Sequence, residues 1–303
     1  MNSTLNIMKA EPLVSVGIPT YNRPDGLRQT LECITGQTYK NLEIIVSDNC
    51  SPGPETEAVV REFMAKDPRI LYYRQDKNQG STFNFQFVLE KATAQYFMWA
   101  ADDDEWESDY IKQCVSALKS NPDAVLCYSS PYFRNYQGWK LFSHEVELTT
   151  NGFLPVSAAR KILFSEYPFT VIYGLMRTSV IRNIPPKNRY GYDQTMTLCL
   201  GITGQFVKVD KGLFIYGTMG VSGSSEGMVK EQNLQKNTKY FFPLYMTHDM
   251  LEAIFYYSSK LTFTEKILIG FLIIGRNFFK KDMLLSNVFG FYFYFRDKIK
   301  YTP

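Results

Sequence analysis

Short apolar, β-branched runs alternate with helical periods along the first 130 residues. Leu13–Pro19 reads as a buried strand closed by a proline. After the turn Tyr21-Asn22-Arg23-Pro24, Leu27, Leu31 and Ile34 recur at i, i+4 and i+7, one face of a helix with Pro24 in its first turn. Leu42–Val46 predicts a second strand ending in Ser47-Asp48-Asn49, and Glu55–Lys66 a helix with Val59 and Phe63 on one side. Ile70–Arg74 is a third strand, and Asn78–Ser81 a loop that starts a helix running through Phe83 and Phe87 to Ala92. The aromatic run from Tyr96 is a fourth strand. Ile111, Cys114, Val115 and Leu118 mark the next helix, which Asn121-Pro122-Asp123 breaks before a fifth strand at Ala124–Tyr128. Five strands alternating with helices predict an α/β fold. Its sheet is Rossmann-like and mostly parallel, built of right-handed βαβ units with helices on both faces.

The pattern then loosens. From Tyr132 to Thr150 no clear period appears, apart from a strand expected at Trp139–Phe142. Val156–Phe164 predicts a helix, Phe169–Met176 a strand, and Thr178–Asn183 a short helix before Pro185-Pro186. Gly191-Tyr192-Asp193 opens a further helix, and Phe206–Val209 and Leu213–Tyr216 are short strands. Gly217–Gly227 is rich in Gly and Ser and suits an active-site lid. Thr238–Ser259 predicts one long helix. Glu265–Lys300 sets seven phenylalanines among Lys and Arg, from Phe271 to Phe295. Such a face fits an interfacial helix resting on an anionic membrane surface; the alternative is packing on its own domain or on a second copy in a homo-oligomer.

Composition narrows the class. Of 303 residues, 45% are hydrophobic, which supports a proper core, and the net charge of +3 argues against a nucleic-acid partner. The five cysteines are scattered and contain no CxxC pair, so zinc and redox motifs are not expected and a reducing compartment is. No apolar signal region stands at Met1–Pro12 and no run of about 18 apolar residues follows. The expectation is a cytoplasmic protein, with peripheral attachment at the inner face of the membrane.

The candidate chemistry begins where the fourth strand stops at Asp102-Asp103-Asp104. Inside a strand these charges would be costly to desolvate; at its carboxyl end they lie in the crevice where open α/β sheets bind ligands. Three adjacent carboxylates repel one another, and a divalent cation relieves that repulsion. Oxygen ligands suit Mg²⁺ or Mn²⁺, which take one or two carboxylates plus substrate phosphates. Thr20 and Asp48 also follow strands, so parallel strands bring all of these residues to one edge of the sheet.

Four segments then carry a family resemblance: Val16–Arg23 (VGIPTYNR), Ile45–Asn49 (IVSDN), Asn78-Gln79-Gly80 and Ala101–Asp104. In this order and spacing they are similar to the family 2 glycosyltransferases and their nucleotide-diphospho-sugar-binding GT-A fold. The match covers roughly the first two thirds of the chain, a normal domain size. The resemblance implies residues 13–130 as the nucleotide-sugar half and 131–227 as the acceptor half of one domain, with 228–303 as a helical extension. It implies Pro19, Thr20 and Tyr21 around the nucleoside, with Arg23, Asn78 and Gly80 in the same site. Asp48 would accept from a pyrimidine N–H, which makes UDP-sugar the expected donor. Asp102 and Asp104 would be the ends of a DxD motif, Asp102 for ribose and metal and Asp104 for direct metal ligation. Asp103 stays a candidate because three Asp in a row leave the register open by one. The family's Ala-Arg-Asn run is replaced by Thr82-Phe83-Asn84, so the diphosphate loses its usual arginine; Arg74 or Lys230 is the expected substitute.

Transfer also requires a base for the acceptor hydroxyl. His144 and His248 are the only histidines, and neither is well placed. Asp193 resembles the family's catalytic acid, although a first-turn acid satisfying the helix dipole is the bland alternative. The expected reaction is inverting transfer to a hydroxyl of a saccharide or lipid-linked saccharide. Trp106, Tyr132, Phe133 and Trp139 are candidates for stacking on a sugar, and Tyr173 and Gly174 for the acceptor cleft. The alternative is a glycosyltransferase-like subunit that binds carbohydrate or a partner without catalysis. GxGxxG and a Gly-rich basic loop are both missing after the first strand, which excludes the dehydrogenase and nucleotidyltransferase readings.

Overall fold

The alternating runs close into a seven-stranded sheet with helices on both faces. The structure is a computed structural model that describes residues 11–134, 140–143, 145–150, 152, 154–166, 168–184, 186–187, 192–209, 214–216 and 242–279. In chain order the elements of the first half are β1 (Val14–Thr20), α1 (Pro24–Thr35), β2 (Leu42–Asp48), α2 (Glu55–Met64), β3 (Ile70–Arg74), α3 (Ser81–Lys91), β4 (Tyr96–Trp99), β5 (Glu105–Trp106), α4 (Tyr110–Ser120) and β6 (Ala124–Tyr128). They are followed by β7 (Pro131–Arg134), β8 (Lys140–Ser143), α5 (Pro155–Phe164), a 3₁₀ turn (Pro168–Tyr173), β9 (Leu175–Arg177), α6 (Thr178–Ile181), α7 (Tyr192–Thr203), β10 (Gln205–Lys208) and β11 (Phe214–Tyr216). Two further helices, α8 (Phe242–Glu252) and α9 (Phe263–Phe279), are joined through a π turn (Ala253–Tyr257).

The strand order is β10-β6-β9-β4-β1-β2-β3. β4, β1, β2 and β3 pair in parallel, so Thr20, Asp48, Arg74 and the residues after Trp99 end on one edge. Alternation along β2 sends Ile44 and Val46 into a core beneath α1, α2 and α4, and Ile45 into a second core on the opposite face. That second core holds Val88, Phe97, Ile162, Leu198, Met246, Met250, Ile269 and Ile273, so α8 and α9 share it with the sheet.

Several expectations are corrected. The fifth strand, β6, does not hydrogen-bond to β4: the antiparallel β9 lies between them. Phe169–Met176 is not one strand. Its first part is the 3₁₀ turn, with Thr170, Val171 and Ile172 buried, and only Leu175–Arg177 joins the sheet. The run read as aperiodic contains β7, and the strand expected at Trp139–Phe142 is β8, one residue later; with β5 and β11 these form a second sheet in the order β5-β11-β7-β8. β5 is two residues long, too short to leave a period in the sequence. The long helix expected at Thr238–Ser259 ends as regular α-helix at Glu252. The lid segment 217–227, Trp139, His144, Lys230 and everything after Phe279 lie outside the described residues.

Candidate active site

The acid triplet occupies a corner. β4 of the large sheet ends at Trp99 and β5 of the small sheet begins at Glu105, so Asp102–Asp104 turn between the two sheets. Ala100 N–H still bonds Gly17 carbonyl at 2.9 Å, and Asp104 N–H closes the turn onto Ala101 carbonyl at 3.3 Å. The first turn of α1 presses against this corner. A Cβ at Gly26 would lie 2.1 Å from the Asp102 carbonyl oxygen, so only glycine permits the approach. Thr30 Oγ1 donates to the Ala101 carbonyl at 3.0 Å.

Asp102 is buried and held on both oxygens. Thr20 Oγ1 donates to Oδ2 at 2.7 Å and Arg23 Nη1 to Oδ1 at 3.2 Å. Arg23 Nη1 also lies 3.6 Å from Asp103 Oδ2. Desolvation raises the Asp102 pKa, against the Arg23 charge and the Thr20 and Tyr21 hydrogen bonds. Asp103 is pushed up to about 6, first by desolvation and then by the Asp102 charge. Asp104 is 1% exposed.

Asp48 is fully buried and takes four donors: Ser51 N–H at 2.9 Å and Ser51 Oγ at 2.6 Å on Oδ1, Tyr72 OH at 3.1 Å and Arg74 Nη1 at 2.8 Å on Oδ2. A carboxylate offers about four lone-pair sites, so a nucleobase N–H reaches Asp48 only if one donor gives way. Arg74 is spent on Asp48 and on the Ser51 carbonyl at 2.8 Å. Ser51 and Tyr72 were missed in the sequence, although period-2 alternation places Tyr72 and Arg74 on one face of β3.

A polar network fixes the neighbouring loops. Asn49 Nδ2 donates to Asn78 Oδ1 at 3.0 Å and to the Gly80 carbonyl at 3.1 Å, while Gly80 N–H bonds Asn78 Oδ1 at 2.9 Å. Gly80 has φ +87°, a conformation that favours glycine, and it opens α3. Asn84 Nδ2 donates to the Thr20 carbonyl at 3.2 Å and the Ser47 carbonyl at 2.9 Å, tying α3 to β1 and β2. Pro19 pairs in register with Ser47 at the same edge. Pro19, Thr20, Tyr21, Arg23, Asp48, Asn78, Gly80 and the triplet are thus gathered as the parallel strands require.

Asp193 arrives from the other half, in the first turn of α7. Thr197 Oγ1 anchors that helix to the 3₁₀ turn through the Pro168 carbonyl at 3.3 Å. The Asp193 carboxylate accepts backbone hydrogen bonds from Gln194 N–H, to Oδ1 at 2.8 Å, and from its own N–H. Desolvation pushes its pKa up to about 6. Tyr173, at the end of the 3₁₀ turn, packs against both cores. Burial raises its phenol pKa first, and the charges of Tyr216, Asp104, Asp103 and Asp193 raise it further, so Tyr173 lies within electrostatic reach of both acid groups. Its ring packs on Phe214 and Tyr216 at 5.6 and 6.1 Å. Trp106 stacks on Phe214 at 5.5 Å and is buried, as is Phe133, so these two are core and offer no face to a sugar. Tyr132 is half-buried, and Gly174 is buried with no room for a Cβ beside the Cys127 carbonyl.

Three potential ligands gather within 4.8 Å at another place, His248, Asp249 and Glu252. Lys187 already pairs with both carboxylates, 3.2 Å from Asp249, and takes the position a cation would need. Asp102–Asp104 are not such a three-ligand group. Their all-oxygen donor set fits an ion that draws one or two carboxylates from the protein and the rest from phosphate and water.

A family model, glycosyl transferase family 2, matches residues 15–184. The chain belongs to that family. The match spans the corner, the Asp48 cage, the Asn78–Gly80 loop and Tyr173, and stops short of Asp193. Among curated relatives, a GalNAc(5)-diNAcBac-PP-undecaprenol β-1,3-glucosyltransferase of Campylobacter jejuni is 38% identical over 95 residues, 31% of this chain and 30% of the relative. The chain spans less than half the length of the first curated relatives it matches. Of solved structures, Staphylococcus aureus TarS 1–349 in complex with UDP-GlcNAc superposes with a TM-score of 0.64 at 14% identity, covering 91% of this chain and 79% of TarS. The mannosyltransferase PcManGT of Pyrobaculum calidifontis, in complex with GDP-Man and Mn²⁺, gives 0.56 at 12%, covering 93% and 74%. At these identities the likeness is one of fold, and this family 2 chain has the GT-A architecture.

Proposed function

We propose that this family 2 glycosyltransferase moves a sugar from a UDP-sugar to a hydroxyl of a saccharide or lipid-linked saccharide in surface-glycan assembly, with inversion. The observation that supports the reading is Tyr173, whose phenol pKa is raised first by burial and further by the charges of Asp104, Asp103 and Asp193 alike, so one side chain lies within electrostatic range of the triplet and of Asp193. A donor seated at the triplet would then present its anomeric carbon toward Asp193. The relatives support the substrate class: one is named for a glucosyl transfer to an undecaprenol-linked glycan and another was solved with UDP-GlcNAc.

In this reading Pro19, Thr20 and Tyr21 line the nucleoside, with Asn78 and Gly80 shaping the wall. The longest of the four bonds to Asp48, from the Tyr72 hydroxyl, is the one a uracil N–H would replace. Asp102 and Asp104 would hold Mn²⁺ or Mg²⁺, which stabilises the departing diphosphate as a Lewis acid. Arg23 keeps Asp102 oriented and offers a cation beside that diphosphate. Asp193 takes the proton from the acceptor hydroxyl as it attacks opposite the leaving group. A raised pKa suits this task, because the acid is ionised near neutrality yet basic enough to accept. No second carboxylate is needed as a nucleophile.

Attachment to a membrane surface rests on α9. Phe263, Ile267, Leu268, Phe271 and Ile274 are exposed along one side of it, with Lys260 and Lys266 nearby, and no described helix is long and apolar enough to cross a membrane. Flotation on anionic vesicles should fall when the apolar side chains of Leu268 and Phe271 are removed together, as in the double variant Leu268→Ser/Phe271→Ser; unchanged flotation together with a shift from dimer to monomer would assign the face to a second copy.

The enzymatic reading is tested by UDP release from UDP-GlcNAc with Mn²⁺ and a bacterial lipid extract as acceptor. Release is expected from the parent and only at a small residual rate from Asp193→Asn. Equal rates in both would remove Asp193 as base, and a thermal-shift screen of nucleotide sugars with Mn²⁺ would identify the donor through its stabilisation by mass action.

A further inference from the structure

The inner side of α9 carries a residue whose position packing does not explain. Ile269 and Ile273 bury into the core, and Arg276 follows them at 4% exposure. A buried guanidinium is costly unless paired with an anion. Among the described residues Arg276 meets no carboxylate: Nη1 points at Met246 Sδ and Met250 Sδ, 3.8 Å each, and Nε has no acceptor. Burial lowers its pKa to about 10, so it remains cationic at neutral pH.

Its one strong bond goes to the catalytic side. Arg276 Nη2 donates to Gln194 Oε1 at 2.5 Å. Gln194 in turn gives its backbone N–H to Asp193 Oδ1 at 2.8 Å. That N–H belongs to the first turn of α7, where the helix supplies no internal acceptor. Two hydrogen bonds in series therefore run from the C-terminal helix to the acid. A methionine at this position would pack against Met246 and Met250 without the desolvation penalty, so packing alone would favour an apolar residue.

We propose that Arg276 is a positioning residue which, by gripping Gln194, fixes the first turn of α7 and aims the Asp193 carboxylate, making α9 part of the active site. The proposal rests on the reading of Asp193 as the base. It goes beyond the family match, which ends before both residues.

The test uses the full chain with Arg276→Met, Arg276→Lys, Gln194→Leu and the double variant Arg276→Met/Gln194→Leu. Arg276→Met is expected to melt at or above the parental temperature while kcat for UDP release from UDP-GlcNAc falls about 10- to 100-fold with KM for the donor unchanged, the scale of a small misplacement of a reacting group. Arg276→Lys should recover part of the rate, Gln194→Leu should fall as Arg276→Met does, and the double variant should be no worse than either. Hydrogen exchange, which needs no substrate, should quicken in the peptide spanning residues 192–195 of Arg276→Met. Parental kcat with unchanged exchange there would overturn the proposal. So would a drop in melting temperature that tracks the loss of rate, since that marks a structural residue. Asp193→Asn at the parental rate would instead overturn the base itself, whereas an inactive Asp193→Asn beside a fully active Arg276→Met would sink only this inference.

Discussion

Asp48 and Asp102 at the sheet edge and Asp193 on α7 are all shielded from water but differ in the donors that hold them. Asp48 receives four donors, one of them an arginine, and Asp102 receives Thr20 and Arg23. Among the described residues Asp193 receives only backbone N–H groups, that of Gln194 and its own, and is otherwise desolvated. Acids held by several donors are fixed in place and suit binding. A desolvated acid held only by backbone N–H groups, with no charged partner, has its pKa lifted toward neutrality and suits proton transfer. In the proposed reading the same residue type does two kinds of work, and the difference comes from what surrounds each carboxylate.

The comparison can be broken most sharply at Asp193. Asp193→Asn should lower kcat by about 10²- to 10⁴-fold, the usual contribution of a positioned base, while leaving thermal stabilisation by donor and Mn²⁺ intact. Asp48→Asn should do the reverse, weakening donor stabilisation with a smaller effect on kcat. If Asp48→Asn lost the greater share of kcat, the division of labour would be wrong. Arg74→Met removes one charged donor from a buried carboxylate and should lower the midpoint of urea unfolding. Gly26→Ala drives a Cβ into the Asp102 carbonyl and should cost about 1–3 kcal/mol while weakening Mn²⁺-dependent donor binding, because the corner itself must shift.

The smallest effect is on stability against pH. The folded-state pKa of Asp193 is raised, so the fold binds its proton more tightly than the unfolded chain does. Stability from this group is present at low pH and is lost as pH rises through about 4 to 6. Asp193→Asn carries no such charge. Its melting temperature relative to the parent should therefore be higher at neutral pH than in acid; the opposite trend would mean that the carboxylate is stabilised in its ionised form.

Much of the first half was legible because local pattern and topology agree there. Apolar runs ended by polar residues placed Thr20, Asp48 and Asp102–Asp104 at strand ends, and parallel pairing put those ends side by side. What the sequence hid is non-local. β9 is three residues long and its place between β4 and β6 depends on tertiary pairing. β5 exists only because β11, more than a hundred residues later, lies against it. Asp193 was named by resemblance and not by period, and its electrostatic range to Tyr173 needed coordinates. Arg276 looked like one more basic residue beside an aromatic face. Its burial follows from the orientation of α9 on the core, which 3.6-residue periodicity could not settle while both faces are apolar.

The most direct measurement is the pH dependence of kcat/KM for UDP release, compared among the parent, Asp193→Asn and Asp103→Asn. Asp103 belongs in the set because its pKa is also pushed up to about 6. The account predicts an acidic limb near pH 6 in the parent, retained in Asp103→Asn and absent from the residual rate of Asp193→Asn. A limb that survives in Asp193→Asn and disappears in Asp103→Asn would contradict it.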